Sequence, residues 1–300
     1  MDRIGKLHNR TRHQQAVCAF LDQEFSPQEW TFSLPHGWGN ETYFAHGNGQ
    51  TYFVKLGAIL ANYETMASLG LTPPVLRAGK LEDGTPIIVQ PYVEGRTPSW
   101  ADFHAYLPRI AEMIHSMHHS LKLKRVLPGA PFDDYRQLAL AAHQRLLHKW
   151  QIFKTAVPDV TDWVDESLDK LYWQMDSLTG AGKVASHNDI CNANWLITPK
   201  GKVYLLDLDG MSLDDPAHDL GALLWWYYPP DLRERFLKIA GYEVNELMKR
   251  RMRLRMAVHC LDILLPRDHS FDQFDRTGFS ASLADYQAII AGEENPRGYE

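Results

Sequence analysis

His187-Asn188-Asp189-Ile190-Cys191-Asn192-Ala193-Asn194, followed after a strand-like run by Leu205-Leu206-Asp207-Leu208-Asp209, is the stretch on which the reading of this chain turns. Transfer of a γ-phosphoryl group needs a carboxylate to orient and deprotonate the attacking hydroxyl, and oxygen ligands to hold magnesium against the phosphates. Asp189, Asn194 and Asp207 together supply that set. A loop bearing Asp189 can turn so that Asn194 faces the same cavity, with the apolar Trp195-Leu196-Ile197 anchoring its far end; Asp207 then arrives on a neighbouring strand. Taken singly, each of these residues could equally satisfy a turn or sit on an exposed strand face. The joint pattern favours catalysis over that alternative.

Working outward from the loop, the preceding half of the chain changes character. Residues 13–25 read as an amphipathic helix, and residues 30–92 as strands, because short aromatic and β-branched runs alternate between turn signals. Strands at 30–34, 42–46 and 50–56 form an antiparallel meander closed by the tight turn Asn48-Gly49. A helix at 58–69 stops at Gly70, and strands at 75–78 and 86–90 flank Asp83-Gly84. Residues 90–98, with Pro91, Gly95 and Pro98, interrupt any ladder or helix and read as a connector. Beyond it the helical period holds at 102–120, 134–150, 161–177, 217–227, 232–240 and 245–264, with one β-like island at 183–208. The expected architecture is α+β and bilobal: a small antiparallel sheet lobe over residues 1–92 and a mainly helical lobe over 93–300. Residues 293–300 read as a frayed end.

Composition narrows the function. A formal net charge of -6 argues against a general nucleic-acid binder, which needs a basic stripe to displace counterions. Cys18, Cys191 and Cys260, odd in number and far apart, suit free thiols in a reducing compartment, so a cytoplasmic location is expected. The polar start and the short longest apolar run, near 220–228, carry no secretion or membrane signal.

These motifs resemble the aminoglycoside phosphotransferase and choline kinase superfamily, which shares its architecture with protein kinases. The resemblance spans nearly the whole chain. It rests on His187, Asp189 and Asn194 in a His-x-Asp-x-x-x-x-Asn loop, and on Asp207 followed by Asp215-Pro216-Ala217-His218-Asp219-Leu220. It implies that Asp189 is the catalytic base, that Asn194 and Asp207 bind magnesium, and that Asp219, with His187, braces the catalytic loop. The implied activity is ATP-dependent, magnesium-dependent phosphorylation of a small-molecule hydroxyl, with GTP as a possible alternative donor. The acceptor would be an amino alcohol of the choline, ethanolamine or thiamine type, or an aminoglycoside. A catalytically silent nucleotide-binding module is the competing expectation. Many aminoglycoside-type members carry Gly after the histidine; Asn188 here is a feature associated more with choline and ethanolamine kinases. No Asp-Phe-Gly or Ala-Pro-Glu stretch follows Asp207, which argues against a protein kinase.

On the nucleotide side, Lys55 stands on the third strand, where relatives grip the α and β phosphates, and Glu64 on the next helix is its expected ion-pair partner. An exposed edge lysine and a solvated glutamate are the plain alternative. The loop containing Gly37, Gly39 and Asn40 can cover phosphates or simply make a hairpin turn. Adenine would meet the connector at Gln90, Tyr92 and Val93; Pro91 has no amide hydrogen, so Tyr92 or Val93 is the expected donor. On the acceptor side, Trp225, Trp226 and Tyr228 could cage an ammonium group or merely pack the core. Asp209 could touch a second metal from the Asp207 face of a strand or simply be solvated or hydrogen-bonded, and with Asp214 and Asp215 could form an acidic rim. His115, His118 and His119 read as helix-end packing.

Overall fold

The computed structural model describes residues 3–34, 42–266 and 274–299. In chain order the elements are α1 (Arg3–Phe25), β1 (Thr31–Ser33), β2 (Thr42–Gly47), β3 (Gln50–Leu56), α2 (Leu60–Ser68), β4 (Arg77–Lys80) and β5 (Pro86–Pro91). There follow α3 (Trp100–Ala105), α4 (Leu107–His118), α5 (Leu121–Val126), α6 (Tyr135–Phe153) and α7 (Thr161–Asp176). Short strands β6 (Val184–Ser186), β7 (Trp195–Ile197), β8 (Val203–Leu205) and β9 (Ser212–Asp214) precede α8 (Ala217–Tyr227), α9 (Pro230–Ile239), α10 (Glu246–Leu264) and α11 (Arg276–Ala291). This is a mixed α+β fold in two compact units. One runs to Arg96 and takes in Leu196–Asp209; the other comprises Thr97–Trp195 and Gly210–Glu300.

The first unit is a five-stranded antiparallel sheet in the order β1-β2-β3-β5-β4. Strand β2 alternates half-buried and buried positions, the period a one-faced sheet requires. Its turn into β3 holds Asn48 and Gly49 at φ 49° and 72°, the left-handed region in which Asn and Gly are the least strained residues. Val17 and Leu21 of α1 join Tyr43, Val54, Ile87 and Val89 in the core, and the Trp30 indole N–H donates to Asp22 Oδ1 at 2.9 Å. Helix α1 begins at Arg3, earlier than expected at residue 13, because a polar N-terminal stretch gives no apolar period to read.

The boundary between units also differs from the expected 92/93. Strand β5 continues through Pro91, opposite Tyr52, and the Tyr92 N–H still donates to Thr51 O at 3.1 Å. Proline is tolerated there because it ends the strand. Arg96 and Ile197 exchange both backbone hydrogen bonds (3.0 and 2.9 Å), and Leu205 N–H donates to Leu71 O at 2.8 Å. Those bonds tie the later 196–209 segment to the sheet unit, a long-range pairing that local pattern does not reveal.

The second unit is built around α10, which packs on α8, α11 and α6. Helices α5 and α11 were not expected, yet Phe279, Leu283, Tyr286 and Ile289 of α11 are buried. The tail is not frayed: Asn295 is buried, Arg233 pairs with Glu294, and Arg297 pairs with buried Asp285. Polar residues with buried partners look like solvated ones until the partners are known. Among the described residues, no helix is long and apolar enough to cross a membrane.

Candidate functional site

In the helical unit, β6 pairs antiparallel with β9 and delivers the chain at Ser186 into the loop 187–194. Asp219, in the first turn of α8, is almost fully buried and shapes this loop through its backbone. Its Oδ2 accepts the His187 N–H at 2.8 Å and its Oδ1 the Asn188 N–H at 2.9 Å. His118 Nε2 lies 3.1 Å from Oδ2, and His118 Nδ1 lies 2.7 Å from the Tyr242 hydroxyl. Burial pushes the Asp219 carboxyl up, but the His118 hydrogen bond and the neighbouring histidines outweigh it and hold the group well below the usual range.

Asn188 has φ 67°, and its Nδ2 donates to Gly210 O and Ser212 Oγ, both at 2.8 Å. A left-handed backbone explains why Gly or Asn suits this position: both adopt it at low cost, and Asn adds anchors to the β9 approach. The Asn192 N–H donates to the Tyr227 hydroxyl at 2.8 Å, and the Tyr227 ring stacks on Phe103 with centroids 4.2 Å apart. The loop closes on itself where Asn194 Nδ2 donates to Asp189 O at 2.7 Å, with fully buried Trp195 next in sequence. That commits the Asn194 amide nitrogen to the loop and not its side-chain oxygen. Asp189 is half-buried at the edge of a cavity of about 180 Å³, with Asn188, Arg145, His218, Arg255, His259 and Asp262 also on its wall. Burial, then the Asp189 charge, pushes the Cys191 thiol up to about 11, so it stays protonated and unreactive near neutral pH.

In the sheet unit, buried Lys55 of β3 places its Nζ 2.7 Å from Asp207 Oδ1 and 2.5 Å from Asp209 Oδ2. Burial would lower the amine's pKa; contact with Tyr63, Asp207 and Asp209 outweighs it and raises it. Asp207 is not on a strand: β8 ends at Leu205, Asp207 has φ 56°, and a 3-10 turn follows over Leu208–Gly210. The shared strand face expected for Asp207 and Asp209 therefore does not exist, though the turn brings both carboxylates to one ammonium. Asp tolerates the left-handed conformation better than most residues.

Glu64 is not the partner of Lys55. It is exposed, and α2 turns Asn62 and Tyr63 inward instead. Asn62 Nδ2 donates to Leu208 O at 2.8 Å, the Tyr63 hydroxyl accepts the Leu208 N–H at 3.3 Å, and the Lys55 amine sits 5.5 Å from the Tyr63 ring centre. Gln90 is buried and its side chain donates to Pro73 O at 2.6 Å. The Tyr92 amide, one of the two expected connector donors, is committed to the ladder; Val93 beside it is half-buried. Gly37, Gly39 and Asn40 lie outside the described residues.

The aromatic run does not form a cage. Tyr228 is fully buried against Phe236 and Phe103, Trp225 lines a separate groove near Arg233 and Leu237, and half-buried Trp226 packs on His259. Neither is there an acidic rim. Arg251 donates to Asp215 at 2.7 Å with both side chains buried, and Arg255 pairs with Asp214. Sequence reading saw Tyr227 only as part of the aromatic run, not as a partner of the loop, and missed the α2 pair Asn62 and Tyr63. A signal for Tyr227 was its place about two turns beyond Asp219 on one helix.

A braced acidic loop in a helical unit, together with a lysine-bearing antiparallel sheet, defines a kinase-like phosphotransferase fold. The family model described as "Phosphotransferase enzyme family" matches residues 33–254, more than half of the chain, and the chain belongs to that family. Among solved structures, it is similar to the choline kinase LicA from Streptococcus pneumoniae (19% identity, 94% of this chain and 98% of that one, TM-score 0.64). A putative aminoglycoside phosphotransferase from Ralstonia eutropha matches at 17% identity over 92% of this chain and 95% of its own, TM-score 0.66. An aminoglycoside phosphotransferase, APH(4)-Ia, solved with AMP-PNP and hygromycin B, matches at 17% identity, 92% and 98% coverage and TM-score 0.65.

Proposed function

We propose that the chain is an ATP- and magnesium-dependent kinase that phosphorylates a hydroxyl of a small molecule, with Asp189 as the base. The observation that carries this reading is the loop: Asp219 holds two of its N–H groups and Tyr227 a third, and Asp189 stands at a cavity. In the step proposed, the Asp189 carboxylate takes the acceptor's hydroxyl proton as that oxygen bonds to the γ-phosphorus. The bond from the γ-phosphorus to the bridging oxygen breaks, and ADP leaves with the electron pair. Lys55 is the group for the α and β phosphates, and the Val93 amide the donor for the adenine. The relative bound to AMP-PNP supports nucleotide use.

Asp207, through its carboxylate, and Asn194, through its uncommitted amide oxygen, each offer the oxygen donor that magnesium, a hard cation, prefers. When bound, the ion would supply charge neutralisation of the phosphates. The three free cysteines fit a reducing cytoplasm.

A coupled ADP-release assay with ATP tests the reading, run across alcohols, amino alcohols, sugars, hydroxy acids and aminoglycosides, with and without a chelator. Acceptor-dependent release that needs magnesium is expected. Nucleotide binding without release for any acceptor would return the protein to the silent-module alternative.

A further inference from the structure

The cavity at Asp189 has a charge pattern unlike the one a polycationic or quaternary-ammonium acceptor requires. Of its two aspartates, Asp262 receives Lys149 Nζ at 3.1 Å, so its charge is already offset. Of its two arginines, Arg255 is buried and paired with Asp214. That leaves Asp189, which the kinase reading assigns to the acceptor's hydroxyl, and Arg145 of α6. Among the described residues Arg145 forms no hydrogen bond or ion pair, and its side chain is exposed on the cavity wall. His259, also on the wall, is uncharged at neutral pH, because burial and then His218 lower its pKa to about 4. None of the aromatic rings expected to form an ammonium cage lines the cavity.

Size points the same way. A cavity of about 180 Å³ is little larger than the roughly 150 Å³ known to accommodate a benzene ring. A short-chain compound fits within it, whereas a multi-ring compound would extend beyond it through its open side.

We infer that the acceptor is a small hydroxy acid, its hydroxyl directed to Asp189 and its carboxylate bound by Arg145. A guanidinium can hold a carboxylate with two parallel N–H bonds, so one residue can both bind and orient the acceptor. This rests on the kinase reading of Asp189.

Binding to the full-length protein is measured by saturation-transfer NMR with glycerate, glycerol 3-phosphate and choline as probes, against wild type, Arg145→Gln and Arg145→Lys. Glycerate is expected to bind at least about tenfold tighter than choline, to lose about tenfold to a hundredfold in Arg145→Gln, and to recover in part in Arg145→Lys. Choline binding as tightly as glycerate, or glycerate affinity unchanged in Arg145→Gln, overturns the inference; glycerol 3-phosphate binding tighter than glycerate overturns the carboxylate assignment. Arg145 is exposed, so the variants should keep the wild-type melting temperature. ADP release assayed alongside separates the two ideas. Release with choline that is lost in Asp189→Asn would keep the kinase and sink the hydroxy acid. Glycerate-selective binding with no release from any hydroxy acid would keep the anion site and sink the kinase.

Discussion

The loop at 187–194 and the segment at 207–209 both present carboxylates, and they hold them in opposite ways. In the loop the backbone is anchored: Asp219 and Tyr227 take its N–H groups, Asn188 ties it to Gly210 and Ser212, and the Asp189 side chain is left at a cavity. In the second segment the side chains themselves are engaged, since Asp207 and Asp209 both close on Lys55. A fixed backbone with an available carboxylate suits a base that must meet its substrate in one geometry. Carboxylates that share a lysine are instead held through their side chains.

The contrast predicts unequal responses to mutation. Asp219→Ala should cost the most, about 3–5 kcal/mol of unfolding free energy in urea titrations, because it strands one buried and one part-buried N–H group and buried His118 at once. A loss below about 1 kcal/mol would mean that the loop does not depend on this brace.

The next largest effect concerns pH. His259 has an ordinary pKa of 6.5 when unfolded and about 4 in the fold. The unfolded chain binds the extra proton across that interval, so stability falls as pH drops from about 6.5 to 4, by ~2–3 kcal/mol for this group. His259→Leu should flatten that slope in urea midpoints taken at pH 7 and 4.5; identical slopes would assign the acid sensitivity elsewhere.

Tyr227→Phe removes the acceptor of the Asn192 N–H. It should cost ~1–2 kcal/mol and lower kcat several-fold, with nucleotide affinity unchanged. A fall in nucleotide affinity instead would break the division between the two regions. Smallest of all, Glu64→Gln should change ATP affinity by less than about twofold, since Asp207 and Asp209, not Glu64, hold Lys55; a tenfold loss would restore the expected lysine–glutamate pair.

Much of this was legible in the chain. The hairpin at Asn48-Gly49, the order of the sheet elements, the helical periods and the loop from His187 to Asn194 carry local signals: turn chemistry, alternation and motif spacing. What escaped depended on partners distant in sequence. Glu64 and Tyr63 are neighbours on α2, and only the packing of that helix against Leu208 decides which one turns inward. Asp214 and Asp215 read as a solvent-facing acidic pair because Arg251 and Arg255, far along the chain, are what neutralise them. Tyr228 is an aromatic like its neighbours in sequence and differs only in facing Phe236. Even Asn188, which pointed to one branch of the superfamily, has a backbone reason in its φ of 67°, and so says less about substrate than its identity suggested.

The central claim, the proposal that Asp189 serves transfer and not nucleotide binding, is tested most directly by measuring ATP affinity and turnover side by side in Asp189→Asn. The account predicts ATP affinity within about twofold of wild type and turnover reduced by about 10²–10⁴-fold. Turnover near the wild-type value, or a collapse of ATP affinity in step with it, would contradict it.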